Sequence, residues 1–315
     1  MRRNRTHHPP VSLPRRTALA AVILGLASAA LPLGARADGA VVVRSPDIAA
    51  YEVALEGLLG SLSPKPPVYD LLENGDLSAD VIAKIEKQDP GCLVGIGSKA
   101  AAALRKQFPG KPLVFSMVLT PAKRGLNDSN TTGVRLEIPP SEQFRRYQQV
   151  IPKLQKVGVI YDEKRSRKLI TDAEGAAREL KLELNAVKVG GTAEVPAAFE
   201  ELISQVDAVW LVPDATVVTA QTFKHMLLVS LRERKPLLVF SAAFVKAGAL
   251  AGVAPDYRAV GESTGRLVRS ILKGENPSDI PVQDPPSTIL VNRRSAERLG
   301  LKIDPASVPG MNVVE

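Results

Sequence analysis

The sequence predicts an α/β fold made of two consecutive halves, each a parallel sheet covered by helices. Three observations carry this. From Ala40 onward, short apolar runs alternate with stretches whose apolar residues recur at helical spacing. The alternation pauses at Pro139-Pro140 and then restarts in the same order. Strand and helix taking turns in this way requires right-handed crossovers and parallel strands with helices on both faces.

The first strand is expected at 40–44. Ser45-Pro46-Asp47 then caps a helix with Ile48, Tyr51, Leu55, Leu58 and Leu59 on one face. A second strand is expected at 67–71 and a turn at Asn74-Gly75-Asp76. The next helix runs through Val81, Ile82 and Ile85 and closes at Pro90-Gly91. Cys92 to Ile96 reads as a buried strand that turns through Gly97 into a helix starting near Ser98, and 113–119 is the following strand. In the second half, Ser141 begins a helix carrying Phe144, Tyr147 and Ile151, followed by a strand at 156–161. Leu169, Ala173, Ala176 and Leu180 mark the next helical face, and 182–189 a strand. Val195, Phe199, Leu202 and Ile203 mark another helix, and 208–212 a strand. A long helix at 217–234 and a strand at 237–241 complete the half.

The tail adds a helix through Val260, Thr264, Leu267, Val268 and Ile271. Pro277, Pro281, Pro285 and Pro286 then break the chain before a strand at 287–291 and a last helix at 294–299. If the tail revisits both halves, the chain crosses between them near 137–141, 249–255 and 281–286. The expected organisation is therefore 38–137 plus 252–281 as one lobe and 138–251 plus 282–315 as the other, with crossings that can hinge at few positions.

Residues 1–37 read as a secretory signal peptide: a basic start, an uncharged apolar run over 18–31, and small residues at Ala35-Arg36-Ala37. The 14-residue run is shorter than the ~20 residues a membrane span needs. Arg15-Arg16 supplies the pair of a twin-arginine signal, but no bulky residue follows it at Thr17-Ala18-Leu19. The segment holds six arginines and no acid, so its removal lowers the net charge from +8 to +2. A basic face for nucleic acid is not expected on the remainder, where clusters such as Lys164-Arg165 and Arg167-Lys168 read as solvated. Cys92 is the only cysteine, so no internal disulfide can form, and it reads as core packing.

In open parallel sheets, ligands bind outside the carboxyl ends of the strands. The polar residues expected there are Ser45, Ser98, Ser116, Thr120, Tyr161, Asp162, Asp214, Thr216 and Ser241. Most carry neutral hydroxyls, which suit hydrogen-bonding recognition more than proton transfer, though each could equally cap a helix. The corner Gly95-Ile96-Gly97-Ser98-Lys99 lacks the third glycine of a dinucleotide loop and the ending of a phosphate-binding loop. Capture of a small anion by the helix N-terminus and the Ser98 hydroxyl fits it better, with Lys99 assisting or pointing to water.

Enzyme constellations are scarce. His225 is the only histidine after residue 37, and it lies mid-helix beside Lys224 and Met226, a poor start for a triad with Ser98. No group of His, Cys, Asp and Glu has metal-ligand spacing, and no cofactor is expected. Asp162 and Asp214 could form a carboxylate pair, or one of them could face a ligand ammonium.

Several motifs in order carry a resemblance. They include Gly97-Ser98 opening a helix, Lys156-Val157-Gly158-Val159-Ile160-Tyr161, and Val206-Asp207-Ala208-Val209 leading to Val212-Pro213-Asp214-Ala215-Thr216-Val217-Val218. Further on come Lys246-Ala247-Gly248-Ala249-Leu250-Ala251, Asp256-Tyr257, Ile271-Leu272-Lys273-Gly274-Glu275-Asn276-Pro277 and Leu299-Gly300-Leu301. Over residues 92–304 the chain resembles extracytoplasmic substrate-binding components of ABC transporters, in the family whose studied members bind tryptophan or phenylalanine. The resemblance implies a type I periplasmic binding protein fold: two Rossmann-like lobes with parallel sheets, joined by a three-strand hinge. It also implies a non-enzymatic periplasmic monomer that holds a small, carboxylate-bearing, amino-acid-like ligand between its lobes and delivers it to a membrane permease. Carried over by position, Ser98, Asp214 and Thr216 are the best contacts, with Asp214 facing the amine. Ser45, Thr120, Tyr161 and Ser241 complete the expected ligand-binding set. The chain departs from the family at Leu119-Thr120-Pro121, where an acid is common, and at Ser241-Ala242-Ala243, where polar or acidic residues are common. An alternative role is an envelope sensor or scaffold in which the same fold contacts a membrane sensor.

Overall fold

The computed structural model describes residues 39–46 and 48–315. The leader, Asp38 and the expected cap residue Asp47 lie outside the described residues. Both sheets lie in one contact unit.

The first sheet has five parallel strands in the order β2-β1-β3-β4-β5. These are β1 (Ala40–Arg44), β2 (Val68–Asp70), β3 (Cys92–Ile96), β4 (Leu113–Val118) and β5 (Thr131–Arg135). Parallel strands covered on both faces read as continuous apolar runs, which is why 92–96 and 113–118 are so legible. Alternate residues part to the two faces. Val42, Val94 and Val114 join a core with helix α1 (Ala49–Ser61) and the late helix α9 (Tyr257–Leu272). Val43, Leu93, Leu113 and Phe115 join helices α2 (Ala79–Gln88) and α3 (Ser98–Gln107) on the other face. The α1 and α9 backbones approach so closely that a Cβ on Gly261 would collide with the Ala54 carbonyl oxygen.

The second sheet has seven strands in the order β12-β11-β10-β9-β8-β6-β7. Its helices are α4 (Pro140–Val150), α5 (Glu163–Glu179), α6 (Val195–Ile203), α7 (Ala220–Glu233), α8 (Ala242–Lys246) and α10 (Arg293–Arg298). Its strands are β6 (Lys156–Tyr161), β7 (Glu183–Lys188), β8 (Ala208–Trp210), β9 (Leu237–Val239), β10 (Ala251–Pro255), β11 (Ser287–Asn292) and β12 (Met311–Val314). One core joins α4 and α5 to Val157, Val159 and Trp210, with Phe144 and Trp210 meeting edge to face at 5.1 Å. The other joins α6 and α7 to Ile160, Val209 and Val239.

Several expectations change. The second sheet is mixed, because β11 runs antiparallel to β10. The stretch 251–255, read from its Gly and Pro as a crossing, is a central strand, so 252–255 pair within the second sheet. Conversely, Gln283 pairs with β5 backbone and Asp284 with Arg135, so residues 282–284 run beside the first sheet. The passages between sheets therefore fall at 136–139, at 256 and at 285–286. Strands β5 and β12 contain polar residues or glycine that interrupt the apolar run, helix α8 has only five residues, and none of the three gave a periodic signal. Helix α7 starts at Ala220 rather than 217, because Thr219 caps it reciprocally with Thr222. Asp89 in the left-handed region, not Pro90-Gly91, ends α2.

Candidate functional site

The corner after β3 explains its glycines by packing. A Cβ on Gly95 would lie 2.5 Å from the Ala101 Cα, so the glycine lets α3 sit directly on its strand. Gly97 has φ +91 and faces the Tyr51 ring, where a Cβ would come within 2.6 Å. The ring thus lies over the start of α3, and burial pushes its phenol up from the ordinary tyrosine value. Ser98 opens α3 with its side chain unused as a cap.

Ser45, just past β1, and Ser98 share the wall of a cleft of about 550 Å³ at the carboxyl end of the first sheet. Tyr51, Glu73, Lys99 and Arg124 line the same cleft, as do the apolar side chains of Ile48 and Leu72. Lys99 is exposed, and its stem passes over Gly75, its Cδ 3.3 Å from where a Cβ would stand. Gly75 belongs to the expected turn, closed by Gly75 N–H donating to the Leu72 carbonyl at 2.8 Å. Neither the Ser45 nor the Ser98 hydroxyl has a hydrogen-bond partner among the described residues, so both can face a ligand. Thr120 sits apart, at the end of β4, in the left-handed region before the 3-10 turn Pro121–Arg124. Its N–H donates to the Glu137 carboxylate at 2.6 Å, and the second Glu137 oxygen is buried without a partner.

The second sheet uses its strand-end polar residues differently. Asp214 is only 1% exposed. One of its oxygens accepts from the Asp162 N–H at 2.9 Å and the Ser166 hydroxyl at 2.7 Å, and the other from the Thr216 N–H at 3.0 Å. Thr216 donates its hydroxyl to Asp162 at 2.8 Å and accepts from Arg165 Nε at 3.0 Å. Asp162 also caps α5 by accepting from the Lys164 N–H. The Thr216 hydroxyl first, then the Lys164 N–H and the charge of Arg165, hold the Asp162 carboxyl below the ordinary aspartate value. Asp214 is therefore a structural acceptor that ties the turn after β8 to the start of α5, not a free carboxylate facing a ligand amine. The expected Asp162 and Asp214 pair is likewise two separately satisfied carboxylates.

Tyr161 ends β6, half-buried against the α4/α5 core. Ser241 caps α8, accepting from the Ala243 N–H at 3.2 Å. It stands between Phe240 and Phe244, whose rings meet at 5.3 Å. The structure thus unites Ser45 with Ser98 and Asp214 with Thr216, and leaves Thr120, Tyr161 and Ser241 separate. No hydrogen bond or ion pair among the described residues joins the Ser98 group to the Asp214 group. Sequence reading missed Tyr51 as a cleft residue, although its helical spacing already turned it inward. It missed Arg124 because a 3-10 turn has no periodic pattern. Among the described residues no cluster of His, Cys, Asp and Glu could hold a metal, and the His225 Nε2 lies 3.4 Å from a Glu200 oxygen without a hydrogen bond to it.

Comparison with known proteins agrees with this architecture. Residues 72–308 match the family described as ABC transporter substrate binding protein. The chain belongs to that family. Its fold is that of the type I periplasmic binding proteins. One similar structure is the ligand-free, open form of CD0873, a substrate binding protein with adhesive properties from Clostridium difficile. It is 18% identical, covers 88% of this chain and 99% of its own, and has a TM-score of 0.71. The ABC domain in complex with L-Trp from Streptococcus pneumonia is 22% identical over 88% of this chain and all of its own, with a TM-score of 0.49. Protein RP367 of Rickettsia prowazekii is 23% identical over 68% of this chain and 69% of its own length. Among the described residues no helix is long and apolar enough to cross a membrane.

Proposed function

We propose that this family member is the periplasmic solute-binding component of an ABC transporter. It holds a small carboxylate-bearing ligand between two lobes and presents it to a membrane permease. The observation that carries this reading is the cleft beside α3, whose wall includes Ser45 and Ser98, hydroxyls without a hydrogen-bond partner among the described residues. Residues 39–137 with 256–284 form one lobe, and 138–255 with 285–315 the other. The three passages at 136–139, 256 and 285–286 serve as the hinge. Ligand contacts from both lobes select the closed form, and no bond is made or broken in the ligand. The protein acts as a monomer after residues 1–37 have directed export and been removed.

Isothermal calorimetry against the common amino acids and small organic acids tests the reading. Micromolar or tighter binding of at least one carboxylate is expected. Ser98→Ala should weaken it by about two- to ten-fold, the worth of one hydrogen bond. Absence of any binder in a broad thermal-shift library would refute the transport role.

A further inference from the structure

We propose that Glu137 is a positioning residue of the hinge: by holding the strained end of β4 through Thr120, it favours the lobe arrangement of this structure over the alternative one. This rests on the two-lobed solute-binding reading and adds to it the residue that sets the balance between the two forms.

The first support is where backbone strain lies. Five non-glycine residues among those described have φ in the left-handed region. Asp89 and Arg234 are the C-caps of α2 and α7, and Lys181 directly follows the C-cap of α5, places where helices ordinarily end this way. The other two, Met117 (φ +60) and Thr120 (φ +45), stand close together at the carboxyl end of β4, with no helix ending before them. Such residues cost free energy and persist only where their surroundings hold them.

The second support is what holds them. A bulge between Ser116 and Val118 interrupts the pairing of β4 with β5. It turns two successive side chains to one face: Ser116 meets the Thr264 hydroxyl of α9 at 2.9 Å, and Met117 is buried in the core that α9 shares with α1. Met117 is thereby fixed by packing inside the first lobe. Thr120 is exposed and has no such packing. Its carbonyl accepts from the Lys123 N–H within the 3-10 turn, and its N–H donates to Glu137 at 2.6 Å, the one bond that reaches outside the segment.

The third support is where Glu137 stands. It belongs to the passage at 136–139, between β5 and α4, and does not line the cleft. The Leu136 N–H donates to the Val118 carbonyl, so the passage runs on beside the end of β4. On the other side of β4, the Gly97 N–H donates to the Ser116 carbonyl at 2.8 Å. A connected run of backbone therefore leads from the α3 corner through the bulge to the hinge. The second Glu137 oxygen has no partner, so Thr120 is the only donor to this carboxylate among the described residues. Rotation about 136–139 moves the carboxylate away from Thr120 and lets Thr120 relax. One form thus has the hydrogen bond and the strain, the other has neither, and the two stay close in free energy.

The test is made on ligand-free protein with spin labels on Lys106→Cys in α3 and Lys168→Cys in α5, both exposed, while the buried Cys92 stays unlabelled. Pulsed electron paramagnetic resonance then reads the inter-lobe distances. Glu137→Ala should raise the ratio of the minor to the dominant distance by about five-fold or more. Glu137→Gln keeps a carbonyl that can accept from Thr120 and should stay within about two-fold of the parent. Thr120→Gly removes the penalty on the left-handed backbone, so it should lower the ratio, and the double variant with Glu137→Ala should return towards the parent. An unchanged distribution in Glu137→Ala, a shift in Glu137→Gln as large as in Glu137→Ala, or a shift in Thr120→Gly of the same sign overturns the assignment. None of these readings needs a ligand. If they fail while calorimetry finds a binder, this inference falls and the solute-binding reading stands. If no carboxylate binds but the distances respond as expected, that reading falls and the role of Glu137 in the hinge stands.

Discussion

The carboxyl ends of the two sheets carry the same kinds of residue in opposite states. Beside the first sheet, Ser45, Ser98, Lys99 and Arg124 line a cleft, and their polar ends have no hydrogen-bond or ion-pair partner among the described residues. Beside the second, Asp162, Asp214, Thr216, Ser166 and Arg165 close on one another in a connected hydrogen-bond network. Both sets stand where topology places ligands, so position alone does not separate recognition from structure. Partners do: a buried group already satisfied has nothing left to offer, while an unsatisfied group beside open volume does.

The contrast can be broken most strongly at Asp214. Asp214→Ala removes the acceptor for two N–H groups and the Ser166 hydroxyl at once, inside a buried turn. The expected loss is about 3–5 kcal/mol, as for other losses of one member of a buried charged cluster. Urea unfolding reads it. A loss below about 1 kcal/mol, together with abolished ligand binding, would return Asp214 to the ligand and erase the difference between the two sheets.

The next largest effect is expected on the other side, at Gly97. Alanine there must tolerate both φ +91 and a Cβ within 2.6 Å of the Tyr51 ring. A cost of about 2–3 kcal/mol follows. A Tyr51→Ala background should recover the steric part and leave the backbone part, which double-mutant unfolding curves separate. Equal costs in both backgrounds would show that the ring does not rest on this corner.

How legible was this arrangement? The sheets were, wherever strands are buried on both faces: 92–96, 113–118 and 156–161 are continuous apolar runs between helical patterns. Strands whose apolar run is interrupted by Gly, Pro or polar residues were not, whatever their length. Strand β10 contains Gly252 and ends at Pro255, the residues that also mark hinges, and only its pairing with β9 and β11 distinguishes strand from crossing. Among the candidate residues, the place of Ser98 at a helix start was legible because strand, glycine and helix occur in immediate succession. Asp214 was misread because its type and place suit an amine, whereas its role depends on Asp162 and Ser166, about fifty residues away in the chain. Arg124 carried no signal, since only folding brings its turn to face Ser98 and Lys99.

A smaller effect sharpens the same contrast through pH. The Asp162 carboxyl is held below its ordinary value, so it is ionised in the folded protein at a pH where the unfolded chain already binds a proton. Its contribution is fully present above about pH 4–5 and is lost as pH falls through the folded value. Urea midpoints between pH 6 and 3 should therefore fall less steeply in Asp162→Asn than in the parent. Parallel curves would mean that Thr216 and Lys164 do not favour the charged form.

The smallest effect on stability is expected at the two serines of the cleft, where an effect on recognition is predicted. Ser45→Ala and Ser98→Ala remove hydroxyls that have no partner among the described residues, so each should leave the unfolding free energy within about 0.5 kcal/mol of the parent. Ser241→Ala, which removes the N-cap of α8, should instead cost about 1 kcal/mol. These three substitutions delete the same atom at three strand ends, and only the surroundings differ. If Ser98→Ala destabilised the protein as much as Ser241→Ala, its hydroxyl would belong to the fold. A stability-neutral Ser98→Ala that weakens binding leaves recognition as that hydroxyl's remaining role.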